Sequence, residues 1–142
     1  MSRLQLALNV SHLEKSIAFY SKLFSTQPTK VKPGYANFAI KEPPLKLVLI
    51  ENSEPGGTIN HLGVEVENTA EVERIETNLQ TQGMATKSQK EVTCCYAKQD
   101  KFWVADPDNA PWEIYTVLKD SASFGESTMT ELETSSSSKY CN

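Results

Sequence analysis

Residues Leu4 to Val10 alternate without a break, with Leu4, Leu6, Leu8 and Val10 on one side and Gln5, Ala7 and Asn9 on the other. That is the period of a half-buried strand. The period then changes. Leu13, Ile17, Tyr20 and Phe24 recur at the spacing of one helical face, introduced by Ser11-His12-Leu13-Glu14, which reads as a capping box. Three short extended segments follow, Lys30 to Lys32, Tyr35 to Ile40 and Leu45 to Glu51, set apart by Pro33-Gly34 and Pro43-Pro44. The first half is thus expected to be βαβββ, closed by a loop from Asn52 to Thr58 around Pro55-Gly56-Gly57.

The pattern then starts again. Gln5-Leu6-Ala7-Leu8-Asn9-Val10 aligns with His61-Leu62-Gly63-Val64-Glu65-Val66 at an offset of 56 residues, the mark of an internal repeat. A second helix follows, with Val72, Ile75 and Leu79 on one face, Asn68 as its cap and Gly83 as its terminator. The last strands also align, Pro44 to Ile50 with Pro111 to Val117, but at an offset of 67, so the second copy is longer by 11 residues. The extra residues fall between the second helix and the last strand, in the stretch that holds Cys94-Cys95, and an insertion carrying unusual side chains is a functional candidate. From Asp120 onward Ser, Thr and Glu dominate and apolar residues are too sparse to bury. One domain is expected over residues 1–118, with module one at about 4–51 and module two at about 59–118, followed by a Ser/Thr-rich disordered tail over 119–142.

Length and charge narrow this picture. A chain of 142 residues can build one sizeable core but not two ordinary domains. Its net charge of -4 arises from 14 basic and 18 acidic residues with no basic stripe, so nucleic acid is not an expected partner. No apolar run approaches a membrane span, and Met1-Ser2-Arg3 leads straight into the first strand, so a cytoplasmic chain without a membrane partner is expected. Three cysteines, two of them adjacent, make no disulfide framework and are expected to be reduced thiols.

Gln5 and His61 hold equivalent places in the two copies, on the strand face opposite the residues that meet the helices. Glu113 lies on a third strand. Its repeat partner, Lys46, cannot ligate as an ammonium. A lone strand histidine is more often a hydrogen-bonded structural residue than a ligand, and a lone glutamine carries nothing. Symmetric placement in a repeat, joined by a carboxylate, turns the balance toward a divalent metal on Gln5, His61 and Glu113, a facial triad with positions left open for chemistry. His12, the other histidine, sits at the helix cap and is assigned to the surface.

Free cysteines are usually small apolar fillers. Two in a row can instead grip one thiophilic centre such as trivalent arsenic or cadmium, the second bond forming at high effective concentration. Strand neighbours point to opposite faces, so both sulfurs reach one atom only if the backbone of Thr93 to Tyr96 leaves extended geometry. A loop or bulge is expected there. Cys141, in the tail, is read as an idle surface thiol, the alternative being a third thiolate that visits the site.

These motifs resemble the vicinal oxygen chelate (glyoxalase/bleomycin-resistance/extradiol dioxygenase) superfamily, over residues 4 to about 118. The resemblance rests on Gln5 to Tyr20, Asn60 to Val66 and Asp106 to Tyr115, and implies an α+β fold of two βαβββ modules forming a cup-shaped mixed sheet. Within that superfamily, Lys32 to Phe38, Pro43 to Leu49 and Thr93 to Ala97 are most similar to the organoarsenical carbon-arsenic lyases, often labelled cadmium-induced proteins. That resemblance implies a non-haem Fe(II)-dependent dioxygenase. It would release arsenite from trivalent methyl- or arylarsenicals, with iron on the residues matching Gln5, His61 and Glu113, arsenic on those matching Cys94 and Cys95, and molecular oxygen as co-substrate. Asn109 stands where superfamily members often carry glycine. Two other classes stay open: a protein that sequesters cadmium or arsenic on the same thiols, and a glyoxalase-like thiol-adduct metalloenzyme, from whose usual four-ligand sites Gln5 and Lys46 depart. The motifs serve equally for modules that close within one chain and for modules exchanged in a homodimer.

Overall fold

The computed structural model describes residues 2–94 and 96–120. Its elements run β1 (Arg3–Val10), α1 (Leu13–Leu23), β2 (Lys30–Lys32), β3 (Tyr35–Ile40), β4 (Leu45–Glu51), β5 (Ile59–Glu65), α2 (Thr69–Thr81), β6 (Lys87–Cys94), β7 (Ala97–Ala105) and β8 (Pro111–Asp120). This is βαβββ twice, as the repeat requires, and β2, β3 and β4 fall on the three segments that the prolines and glycines set apart. β8 continues to Asp120, two residues past 118, the expected end of the domain. The Ser-rich stretch and Cys141 lie outside the described residues. No described helix is long and apolar enough to cross a membrane.

Two compact units divide at Leu62 and Gly63, inside β5. In the first, β2, β3 and β4 form an antiparallel run and β1 joins β4 in parallel, with Gln5 opposite Lys46 and Asn9 opposite Ile50. α1 covers one face of this sheet. Leu13, Ile17, Tyr20 and Phe24 pack there on Leu6, Leu8, Val10, Ala36, Phe38, Ile40, Leu47 and Leu49. Each large apolar side chain fully withdrawn from water on such a face contributes about 1.5–3 kcal/mol. In the second unit, β6, β7 and β8 are antiparallel, and α2 lays Val72, Ile75 and Leu79 on Val64, Val66, Phe102, Val104 and Ile114.

The helix ends differ from one another. Asn68 caps α2 as expected, its Oδ1 accepting from the Glu71 N–H at 2.9 Å, and Gly83 follows the helix with φ +88°. At α1 the expected capping box does not form: His12 is the N-cap residue and makes no side-chain cap hydrogen bond. The Leu13 N–H donates instead to Glu51 Oε2 at 2.9 Å, across a separation of 38 residues. A carboxylate from the end of β4 is a stronger, charge-assisted acceptor than a serine hydroxyl, and it also suits the positive end of the helix. Glu51→Ala should therefore cost about 0.5–2 kcal/mol of unfolding free energy in urea titration, whereas Ser11→Ala should cost little. The reverse order would return the cap to Ser11.

The insertion appears as length in one hairpin: β6 and β7 have 8 and 9 residues, where their counterparts β2 and β3 have 3 and 6. The β6–β7 register shifts between Gln89 and Val92 around Glu91, whose φ is +50°. A buried carboxylate holds that irregularity. Asp100 Oδ1 accepts from the Glu91 N–H at 2.7 Å, and its Oδ2 accepts from the Thr69 hydroxyl at 2.6 Å, tying the hairpin to the start of α2.

Candidate metal centre

On β1 the leucine side lies under α1, yet the opposite side is the better buried one: Gln5, Ala7 and Asn9 are enclosed, while Leu4 is exposed. Along β4 the residues from Lys46 to Ile50 are buried on both sides, Lys46 lying beside Gln5 in register, and on β3 Asn37 donates to Tyr35 Oη at 3.0 Å. In the second unit Gln99, Lys101, Trp103, Glu113 and Tyr115 are all buried on the side of the sheet away from α2. Polar side chains enclosed on the face that no helix covers are costly to desolvate, so they must be hydrogen-bonded or ligated.

The first unit brings Gln5 and His61 together. Gln5 Nε2 lies 3.1 Å from His61 Nε2, and the imidazole is 1 % exposed. The other ring nitrogen, Nδ1, is 2.7 Å from Asn60 Oδ1, an atom that can only accept. These two contacts match a His61 ring with its proton on Nδ1 and a lone pair on Nε2, the tautomer a histidine that ligates through Nε2 needs. Gln5 contributes an amide whose N–H faces that lone pair and whose carbonyl oxygen is the atom able to ligate.

Glu113 occupies β8 in the second unit, diagonal to Lys101 on β7. Lys101 Nζ donates to Glu113 Oε2 at 3.0 Å with both side chains all but excluded from water. The same ammonium lies 5.3 Å from the Trp103 ring centre and 6.0 Å from that of Tyr115. Trp103 Nε1 donates to Gln89 Oε1 at 3.2 Å, and Tyr115 Oη to Glu65 Oε1 at 3.3 Å. A buried lysine among aromatic rings beside a carboxylate is absent from the sequence reading, since Lys101 follows Gln99 and Asp100 in a run that looks like a solvated strand face. His12 is exposed, as expected.

Cys94 ends β6 fully buried, Ala97 pairs with it across the sheet, and Tyr96 between them has φ +61°. The backbone thus leaves extended geometry where the thiol argument requires it. Gln99 Nε2 donates to the Cys94 carbonyl at 3.3 Å, and Gln99 Oε1 is buried with no hydrogen-bond partner among the described residues. One expectation is corrected: Cys94 is in a disulfide, not a free thiol, and its partner lies outside the described residues, as does Cys95. Disulfide and dithiol are two redox states of the same sulfurs, exchanged by thiol attack.

The donor set can be tested against a metal. In the first unit an imidazole nitrogen of His61 and the carboxamide oxygen of Gln5 are nitrogen and oxygen donors of the kind that suits a borderline divalent ion, and in the second unit the Glu113 carboxylate is a donor of the same kind. No cluster of three or more acidic, histidine or cysteine side chains able to hold a metal ion occurs among the described residues. The largest cavity described in the first unit, about 680 Å³ beside His12, Glu14, Lys32 and Glu51, is lined by none of these donors.

The sequence profile of the Glyoxalase/Bleomycin resistance protein/Dioxygenase superfamily matches residues 3–114. The chain belongs to that superfamily. Cadmium-induced protein CadI of Mycobacterium tuberculosis is 57 % identical to it over 125 residues, 88 % of this chain and 82 % of the relative. The trivalent organoarsenical cleaving enzyme of Thermomonospora curvata is 58 % identical over 121 residues, 84 % of this chain and 80 % of that enzyme. Among solved structures, the Mn(II)-bound glyoxalase from Novosphingobium aromaticivorans superposes with a TM-score of 0.61 at 17 % identity, over 86 % of this chain and 42 % of that one. At that identity the superposition speaks for the fold alone.

Proposed function

We propose that this chain is an Fe(II)-dependent enzyme that cleaves the carbon–arsenic bond of trivalent organoarsenicals with molecular oxygen and releases arsenite. Its metal ligands are Gln5, His61 and Glu113, and Cys94 and Cys95 bind the substrate arsenic. The observation that carries this reading is the buried Gln5–His61 pair, with the imidazole lone pair on Nε2, in a chain 58 % identical to an enzyme named for trivalent organoarsenical cleavage.

Bound iron with open coordination positions supplies oxygen activation and Lewis acidity. The protein's own residues do the rest. Each thiol replaces one hydroxyl of a trivalent arsenical with loss of water, and the second replacement is intramolecular, so capture is tight and the arsenic atom is held in one place. The turn at Tyr96 lets consecutive cysteines serve one atom. Lys101, donating to Glu113 Oε2 at 3.0 Å with both side chains buried, holds that carboxylate in one orientation. Capture requires both sulfurs as thiols, so arsenical binding should depend on prior reduction of Cys94 by a phosphine.

The deciding experiment loads reduced protein with Fe(II) under anaerobic conditions, adds methylarsenite and then oxygen, and separates the arsenic species. Arsenite in amounts exceeding the protein marks turnover. Stoichiometric retention without arsenite would instead favour a sequestration role, the second reading, which the kinship to a protein named for cadmium induction keeps in view. Cys95→Ser should lower arsenical affinity at least about 100-fold through loss of the intramolecular second bond while leaving iron content near wild type. An arsenical titration that the substitution leaves unchanged would remove the thiols from the site.

A further inference from the structure

His61 does not choose its tautomer by itself. Asn60 Oδ1 takes the Nδ1 proton, and the orientation of that amide is set in turn by Asn60 Nδ2, which donates to Asn9 Oδ1 at 2.8 Å. Asn9 Oδ1 also accepts from Asn52 Nδ2 at 2.9 Å, and Asn9 Nδ2 donates to Thr58 Oγ1 at 2.9 Å. The Thr58 hydroxyl proton goes to the Pro55 carbonyl at 2.6 Å. Every group in the chain of contacts is therefore used in one direction, and reversing any amide would set two acceptors or two donors against each other.

The backbone clamps the same loop. Asn9 N–H donates to Thr58 O at 2.8 Å, and Gly57 N–H to Asn9 O at 2.9 Å. A side chain at Gly56 would run into Ser11, so the loop can lie this close only with glycine there. Asn9, Asn60 and His61 are 4 %, 6 % and 1 % exposed, so water does not offer the ring an alternative acceptor.

We infer that Asn60, held by Asn9 and the Asn52–Thr58 loop, is a positioning residue that fixes His61 as the Nδ1–H tautomer and so presents Nε2 to the metal. This rests on the reading of His61 as a ligand, but its first half is a property of the metal-free protein. Carboxylates and carbonyls commonly orient ligating histidines, and removing such an outer partner costs about 10–100-fold in metal affinity. Here a side-chain amide has that task, with a network of its own to hold it.

The test has two readouts. In metal-free, imidazole-15N-labelled protein, long-range 15N–1H correlation spectra should show His61 protonated on Nδ1. In Asn60→Leu the ring should lose that preference, and Asn60→Asp, which keeps an acceptor for Nδ1 but no longer donates to Asn9 Oδ1, should recover part of it. Co(II) titration followed by its visible absorption should give an affinity about 10–100-fold weaker for Asn60→Leu, with Asn60→Asp between that variant and wild type. Should Asn60→Leu not fold, Asn9→Ala, one contact further out, gives the same comparison with a smaller loss.

A wild-type ring protonated on Nε2, or an Nδ1–H ring unaffected by both Asn60→Leu and Asn9→Ala, overturns the inference. A tautomer that shifts while Co(II) affinity stays constant keeps Asn60 as the director of His61 and overturns instead the assignment of His61 to the metal.

Discussion

Lys101→Met lowers the unfolding free energy of the metal-free protein by about 3–5 kcal/mol, because it withdraws the cation from a carboxylate that cannot reach water. Lys101 and Glu113 are 1 % exposed each and 3.0 Å apart, so neither the screening nor the entropy that weakens surface pairs applies to them. Urea titration in the presence of a chelator measures the loss. A double substitution, Lys101→Met with Glu113→Leu, should recover most of it, since two apolar residues of similar size replace a buried pair at little cost. The lost approach of the ammonium to Trp103 and Tyr115 would account for about 1 kcal/mol of any remaining difference. A single substitution costing under about 1 kcal/mol would show that the pair is solvated after all.

His61→Ala should reduce iron retained after desalting from about one per chain to a small fraction, a loss of affinity exceeding the roughly 100-fold that an outer partner can cost. Iron-dependent release of arsenite should fall to background with it. The arsenical should still bind to Cys94 and Cys95 in the reduced protein, since those thiols act independently of the iron ligands. The substitution also leaves the buried Asn60 Oδ1 without the ring proton it accepts, a cost of about 1–3 kcal/mol, so iron must be compared at a temperature where both proteins are folded. Undiminished iron content in His61→Ala would remove this residue from the triad. Loss of arsenical binding together with iron would mean that the two parts of the site are not separable.

These experiments bear on residues of very different legibility. The strands and helices could be read from period alone: alternation at Leu4 to Val10, a helical face at Leu13, Ile17, Tyr20 and Phe24, and proline or glycine between β2, β3 and β4. Each of those signals is local, set by which side of one element must leave water. Cap chemistry was legible where it is local, at Asn68, and misread where it is not, at His12, because the acceptor for α1 arrives from Glu51 on another strand. The turn at Tyr96 was anticipated from the geometry of adjacent cysteines, whereas the disulfide at Cys94 was not, since a thiol and a disulfide sulfur are the same letter in the sequence.

For the candidate site, the sequence by itself determined the doubled unit, the equivalence of Gln5 with His61 and of Lys46 with Glu113, and the placing of the extra residues around Cys94-Cys95. Repetition made those residues comparable without any coordinates. The tertiary structure decided what surrounds them. Asn60 is the strand neighbour of His61, and alternation sends neighbours to opposite faces, so no periodic pattern would join their side chains; the contact exists because Asn9 and the Asn52–Thr58 loop hold the Asn60 amide in place. Lys101 reads as a solvated lysine until the sheet sets it diagonally to Glu113 and encloses both. The physical reason is common to both. Periodicity reports which face of an element avoids water, while the orientation of the Asn60 amide and the neutralisation of a buried charge are fixed by residues that chain order keeps apart and packing brings to 2.8 Å (Asn9 and Asn60) and 3.0 Å (Lys101 and Glu113).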